Sequence, residues 1–257
     1  MKKKRVFLYI TLGMIFIILT AFYAWSQVYY DATPNALEYL KDSGQVTVEK
    51  QDNIITDTLG VTSSTYTFIP EGKKQNIGVI FYPGGKVDAR AYAYLGYGLA
   101  NKGYKTVIVQ MPLKLAVFSP GYAEKIINKH SGIGKWVIGG HSLGGSMAAS
   151  FTRNNPEHIK GLFLLASYPA SSVDLRNLDI DVLSLSGDKD GIADAEKIKN
   201  SSGLLPIDRT VFIEIEGANH SQFGDYGFQK GDLEADISQD RQHEIVINSV
   251  LELLHDQ

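Results

Sequence analysis

The sequence predicts an α/β fold, a mostly parallel, doubly wound sheet with helices on both faces. Three observations lead there. From residue 77 onward, short continuous apolar runs alternate with helical segments, as strands covered on both faces do. Three earlier stretches alternate apolar and polar residues instead, the habit of half-buried antiparallel strands at a sheet's edge. One apolar run, Trp136–Ile138, breaks into Gly139-Gly140-His141-Ser142-Leu143-Gly144-Gly145 and then into helix formers and small residues. That order reads strand, sharp turn, helix.

Composition agrees with a folded domain. Of 257 residues, 44% are hydrophobic and 21% charged, which excludes a disordered chain. Without its N-terminal segment the chain has about 210 residues, enough for one sizeable core. It contains no cysteine, so disulfides, thiolate metal sites and a cysteine nucleophile are excluded. Four of the 25 basic residues are Lys2, Lys3, Lys4 and Arg5, and all 28 acidic residues come later. The remainder is therefore net acidic, which argues against a nucleic-acid partner.

The elements follow in order. Val6–Val28 carries no charge, and an apolar helix of about 20 residues spans a bilayer's hydrocarbon core. Tyr23, Trp25, Tyr29 and Tyr30 stand at its far end, where an aromatic belt belongs, and the basic cluster predicts a cytoplasmic N-terminus. Residues 1–30 are expected to be an uncleaved single-pass membrane anchor with the main domain on the extracytoplasmic side. The alternative is a signal peptide and a secreted protein. Residues 31–60 read as a linker and approach segment, with a short helix from Pro34 to Leu40 and alternation at Val46 and Val48 and at Ile54, Thr56 and Thr58. The domain proper is expected over 61–257. Ser64–Ile69 alternates, and Ile77–Tyr82 is a central strand ending in Pro83-Gly84-Gly85-Lys86. A helix is expected over Asp88–Asn101, a strand over Lys105–Met111 and a short helix over Tyr122–His130. The helix after the turn closes at Asn155-Pro156-Glu157. Gly161–Ala166, Val182–Ser186 and Thr210–Ile215 read as further buried strands, with helices around Ala193–Asn200 and Ser238–His255.

The turn matches G-x-S-x-G at Gly140, Ser142 and Gly144. A serine at the tip of so tight a turn is strained, and side chains two residues away would crowd the crossing of strand and helix. The helix that follows aims its partial positive charge at a developing oxyanion. A serine becomes a nucleophile only with a base in reach and a carboxylate to orient that base. In a parallel sheet these groups belong in loops at the strands' carboxyl ends. After Val182–Ser186 comes Gly187-Asp188-Lys189-Asp190-Gly191, in which Asp190 is the chosen acid and Asp188 its rival; Asp194 falls in the next helix. After Thr210–Ile215 comes Glu216-Gly217-Ala218-Asn219-His220, which makes His220 the general base. His130 and His158 lie near helix ends, and His243 and His255 in the last helix. His141 adjoins the serine and is expected to point away from it.

Ile77–Gly85, Gly140–Gly144, Gly187–Asp190 and Gly217–His220 resemble the α/β-hydrolase family over about residues 64–256, and most of all its small lidless members, similar to dienelactone hydrolases. The resemblance implies the order Ser142, Asp190, His220 for nucleophile, acid and base. It implies an oxyanion hole from two backbone N–H groups, one at Leu143 and one after the strand Ile77–Tyr82. Many relatives carry His-Gly there, whereas this chain has Pro83-Gly84-Gly85, so the second donor is placed at Gly85, with Lys86 the alternative. It implies a serine hydrolase that cleaves small-molecule carboxylic esters and needs no cofactor or metal.

Only Ser167–Asp181 separates the strands where larger relatives insert a cap, so no cap domain is expected and the site should be open. Two loops are candidates to line it. Pro112–Tyr122 offers Leu113, Leu115, Val117 and Phe118, and Ser221–Asp232 offers Phe223, Tyr226 and Phe228. Two other functions use the same residues: a membrane-tethered binding protein without turnover, and an acyltransferase or cofactor-free haloperoxidase with the same triad.

Overall fold

The computed structural model describes residues 2–56, 62–255 and 257. The alternation read at Thr58 and the expected boundary at 60–61 lie outside the described residues. The elements in chain order are α1 (Lys2–Ser26), α2 (Pro34–Glu38), β1 (Val46–Thr56), β2 (Thr62–Pro70), β3 (Ile77–Tyr82), α3 (Ala93–Ala100), β4 (Thr106–Gln110), α4 (Tyr122–Lys129), β5 (Lys135–His141), α5 (Leu143–Asn154), β6 (Ile159–Leu165), β7 (Asp181–Gly187), α6 (Ala195–Asn200), β8 (Thr210–Ile215) and α7 (Gln239–His255).

The strands form one sheet in the order β1-β2-β4-β3-β5-β6-β7-β8. β1 pairs antiparallel with β2, and β2 antiparallel with β4; every later pairing is parallel. The antiparallel N-terminal edge and the parallel remainder are as the sequence predicts. The approach segment delivers the edge strand itself, since β1 lies within 31–60 and pairs along β2. The helix expected from Asp88 begins as a 3-10 turn at Ala89–Tyr92, capped by the Asp88 carboxylate on the Arg90 N–H, and becomes α-helical only at Ala93.

Alternate residues of the central strands feed two cores, one on each face. Val79, Phe81, Val137, Phe163, Leu165 and Leu183 turn toward α3 and α7. Ile80, Tyr82, Ile138, Leu162, Leu164 and Val182 turn toward α4 and α5. Strands apolar at every position therefore fit only the middle of a two-faced sandwich. β8 departs from the expectation of a buried strand. It is the sheet's outer strand, and its Val211 and Phe212 are exposed. With one neighbouring strand and only the six-residue α6 before it, an apolar run does not ensure burial. No cap domain interrupts the sheet. Between β6 and β7 the chain packs Val173, Leu175 and Ile180 into the core.

The chain moves from β3 outward to β4, then crosses back over β3 to β5. In open sheets, a crevice outside the carboxyl ends of the strands forms where the winding reverses in this way. Pro83-Gly84-Gly85 leaves β3 there, and Ser142 leaves β5 there.

Candidate active site

Ser142 joins β5 to α5 with φ 50° and ψ −123°, a strained conformation for a residue with a side chain. The neighbours explain why it persists. A Cβ on Gly140 would lie 2.4 Å from the Gly144 carbonyl carbon, and one on Gly144 would lie 2.1 Å from the Tyr82 carbonyl oxygen. Strand, turn and helix thus touch backbone to backbone, and only glycine permits it. The turn is pinned by the Ser142 N–H on the Leu165 carbonyl at 2.9 Å and by the Ser167 hydroxyl on the Ser142 carbonyl at 2.6 Å.

The loop after β7 separates its three aspartates by task. Asp188 is exposed, and its Oδ1 accepts from the Gly217 N–H at 2.7 Å, tying this loop to the one after β8. Asp194 caps α6 through the Lys197 N–H. Asp190 alone reaches a histidine. Its Oδ2 lies 2.8 Å from His220 Nδ1, and both side chains are buried. Its Oδ1 accepts from the N–H groups of Ile192 at 2.8 Å and Ala193 at 2.7 Å, so the carboxylate is held at both oxygens.

His220 is held in turn by a residue the sequence reading passed over. Asp232 Oδ1 accepts from the N–H groups of Gly191 at 3.0 Å, Leu233 at 3.0 Å and His220 at 3.4 Å. Its Oδ2 accepts from the Ser221 N–H at 2.7 Å and the Ser221 hydroxyl at 2.5 Å. Burial pushes this carboxyl up, but the Ser221 hydroxyl and the N–H donors outweigh it and hold the pKa below the usual value. One buried carboxylate thereby ties the loop of Asp190 to that of His220.

His141 points away from Ser142 into the core, and it lies against His220. Its ring centroid is 4.4 Å from that of His220. The Tyr92 hydroxyl lies 2.8 Å from His141 Nδ1 and accepts from the Gly84 N–H at 3.0 Å. Burial holds Tyr92 neutral, so its proton goes to Nδ1 and the imidazole proton sits on Nε2. Burial, then the nearby His220, hold His141 far below the ordinary histidine pKa, so it is neutral. Tyr92 thus links the loop after β3 to the histidine beside His220.

That loop runs past the first turn of α5. A Cβ on Gly85 would lie 3.1 Å from Leu143 Cδ2. The Gly84 N–H is taken by Tyr92, and the Lys86 N–H by the Lys114 carbonyl at 2.7 Å. Between them, the Gly85 N–H has no hydrogen-bond partner among the described residues. Leu143 opens α5, where an N–H has no partner within the helix.

An open cleft of about 300 Å³ is lined by Ser142, Leu143, Ser146, Ala166, Ser167, Tyr168, Ile192 and Ala193. The two loops expected to line it do not. Phe223 and Tyr226 are buried in the core, while Val117, Phe118 and Phe228 are exposed. A larger cavity of about 700 Å³ lies between α6 and β8 and has Asp190 in its wall, but Ser142 lines only the smaller cleft. Chemistry rather than size therefore selects the cleft. No cluster of metal-ligating side chains occurs among the described residues.

The sequence model of the alpha/beta hydrolase family matches residues 78–244, most of the chain and all the loops just described. The chain belongs to the alpha/beta hydrolase family. No curated protein shows a significant sequence match. Similar solved structures include a carboxylesterase from Bacillus subtilis, with a TM-score of 0.64 and 12% identity over 87% of this chain and 95% of that one. An esterase from Pyrobaculum calidifontis gives 0.63 and 16% over 85% and 90%. A dienelactone hydrolase from Anabaena variabilis gives 0.59 and 14% over 81% and 99%. At such identities the likeness is one of fold.

Sequence reasoning misses Asp232, Tyr92 and the contact of His141 with His220. Aspartates are common in polar loops, and nothing in sequence marks Asp232. Tyr92 reads as an ordinary apolar position on a helix. His141 carries the one usable signal, since a histidine directly before the serine must point to the opposite face of the strand.

Proposed function

We propose that the chain is a serine hydrolase that cleaves carboxylic esters, with Ser142 as nucleophile, His220 as base and Asp190 as the orienting acid. The observation that carries this reading is the buried Asp190–His220 pair on the same edge as a strained serine at a helix N-terminus. Asp190 on Nδ1 leaves His220 Nε2 free to take the Ser142 proton as the oxygen attacks the ester carbonyl. The Leu143 and Gly85 N–H groups then receive the tetrahedral oxyanion. Gly85 is preferred to Lys86 because the Lys86 N–H already has a partner. His220 returns the proton to the leaving alcohol, and water removes the acyl group by the same steps in reverse. The open cleft, walled by Leu143, Ile192 and Ala193, suits a small or medium acyl group.

A fluorophosphonate probe should label Ser142 and no other residue. p-Nitrophenyl esters of graded chain length should be turned over by the wild type and not by Ser142→Ala. An unlabelled Ser142, beside a control esterase that reacts, would leave the non-catalytic binding protein as the better reading. Label without ester hydrolysis would favour an acyltransferase or haloperoxidase.

The N-terminal helix belongs to the same proposal. Lys4–Ser26 has a mean hydropathy of 2.3 and buries none of its apolar window. A signal sequence can be equally long and apolar, but an uncleaved anchor also accounts for the way its last turn packs on the domain. N-terminal sequencing of the mature protein decides between them, since a chain starting after residue 26 rules out the anchor.

A further inference from the structure

The end of α1 does not lead into a free linker. Tyr30 is four residues past Ser26, yet its N–H donates to the Lys86 carbonyl at 2.8 Å and its carbonyl accepts from the Asp88 N–H at 2.9 Å. Its hydroxyl accepts from the Lys230 N–H at 3.2 Å, and its ring packs on Tyr226 at 5.5 Å. Two cations complete the seat. Lys86 Nζ lies 4.0 Å from the centre of the Trp25 ring, and Lys114 Nζ lies 3.5 Å from that of Tyr29. Phe22, within the apolar helix, meets Phe118 edge-on at 6.0 Å.

These contacts fall on three loops, those after β3, β4 and β8, and all three leave the carboxyl edge of the sheet where Ser142 stands. Four residues of extended chain reach at most about 14 Å. The headgroup layer beyond the hydrocarbon core is itself about 6 Å thick or more. The loop carrying Gly85 is therefore held within or just above the headgroups. Apolar side chains project from the same edge. Val117, Phe118, Phe228 and Leu233 are 45%, 37%, 51% and 52% exposed. Lys86, Lys114 and Lys230 stand among them, the mixture of cations, aromatic rings and apolar groups that suits an anionic membrane interface.

We propose that the mouth of the active site opens onto the bilayer that holds α1, so that the ester delivered to Ser142 is one resident in the membrane. The substrate class is then an acyl ester with its apolar chain among the lipids and its carbonyl at headgroup depth. This rests on the serine-hydrolase reading for the chemistry, but not for the orientation, and the two are tested separately.

Orientation is read without catalysis. The chain has no cysteine, so Phe228→Cys and Ile207→Cys each take a single fluorophore. Ile207 is 87% exposed and lies just before β8, at the opposite edge of the sheet. The full chain is reconstituted into vesicles of phosphatidylcholine and phosphatidylglycerol containing nitroxide-labelled phosphatidylcholine. The label at 228 should be quenched by the nitroxide lipid and the label at 207 should not. Equal quenching at both positions, or none at 228, overturns the proposal whatever the enzyme does. Delivery is read on the reconstituted Val117→Ser/Phe228→Ser double variant. Its turnover of a long-chain ester embedded in the vesicles should fall about tenfold, the loss expected when two apolar side chains no longer insert, while turnover of soluble p-nitrophenyl acetate stays at the wild-type level. Equal loss on both esters, or on neither, defeats membrane delivery. If the wild type cleaves neither ester, the hydrolase reading fails, and quenching alone decides the orientation.

Discussion

The Ser142 turn and the two loops bearing Asp190 and His220 share one edge of the sheet, and they are held there by different means. The turn is confined by backbone sterics within a few residues: Gly140 against Gly144, Gly144 against Tyr82, and a serine left at φ 50° between them. The loops have no such confinement. Asp190 bonds to His220 thirty residues later, Asp188 to Gly217, and Asp232 back to Gly191 and forward from His220 and Ser221. The turn is stiff because it is crowded. The loops are stiff because carboxylates, buried at Asp190 and Asp232 and exposed at Asp188, collect N–H groups from separate segments. Strain belongs to the first and polar satisfaction to the second, so substitutions should affect them in opposite ways.

The largest effect tests strain in the turn. Ser142→Gly should abolish ester turnover, by about 10⁵-fold or more, and should at the same time raise stability by about 1 kcal/mol as the strained φ is relieved. Ser142→Ala should lose the same activity without that gain. Urea unfolding of the two variants side by side makes the comparison. A Ser142→Gly protein no more stable than Ser142→Ala would show that the turn stores no strain.

Asp190→Asn comes next. The amide oxygen keeps the Ile192 and Ala193 bonds, but its NH₂ faces His220 Nδ1 and forces the wrong tautomer. Turnover should fall about 10⁴-fold, with stability moving by no more than about 1 kcal/mol. A large change in the unfolding midpoint with little loss of turnover would assign Asp190 to the scaffold.

Asp232→Asn should divide differently, because all of its bonds are structural. An amide cannot accept at both ends, so a buried donor goes unsatisfied and stability should drop by about 2 kcal/mol. The effect carries a pH signature. Hydrogen bonds hold the folded pKa of Asp232 below its ordinary value of 3.8. The stabilisation is therefore complete above that ordinary value and is lost as pH falls through the folded one. The wild type should lose stability in that acidic window, and the slope should be shallower in Asp232→Asn. Matching slopes would remove Asp232 from the acid response.

The smallest effect concerns the link between the two regions. Tyr92→Phe leaves the Gly84 N–H and His141 Nδ1 without their shared partner. It should cost about 1 kcal/mol of stability and slow turnover severalfold without removing any group that touches the ester. If KM rises while kcat is unchanged, the link acts on binding rather than on the orientation of His220.

How much was legible in sequence follows the same division. The Ser142 turn could be read because its causes are local. Glycines two residues either side of a serine, between an apolar run and a helical one, leave the backbone few alternatives. The parallel sheet was legible for a similar reason, since strands apolar at every position fit only a middle layer. Asp190 and His220 could be placed at strand ends because a parallel sheet gathers such loops on one edge. β8 was misjudged because burial depends on neighbours and not on the strand's own residues. Asp232, Tyr92 and the partner of His141 stayed hidden because each matters through a contact many residues away.

Residue order alone thus determined the fold class and the backbone of the turn, both products of short-range sterics and apolar periodicity. Only the tertiary structure decided which aspartate meets His220, which glycine N–H is left free beside Leu143, and that the end of α1 seats itself against the loops around the cleft. Those are outcomes of long-range hydrogen bonding and packing, where one residue's role is set by another that the chain brings back from far along its length.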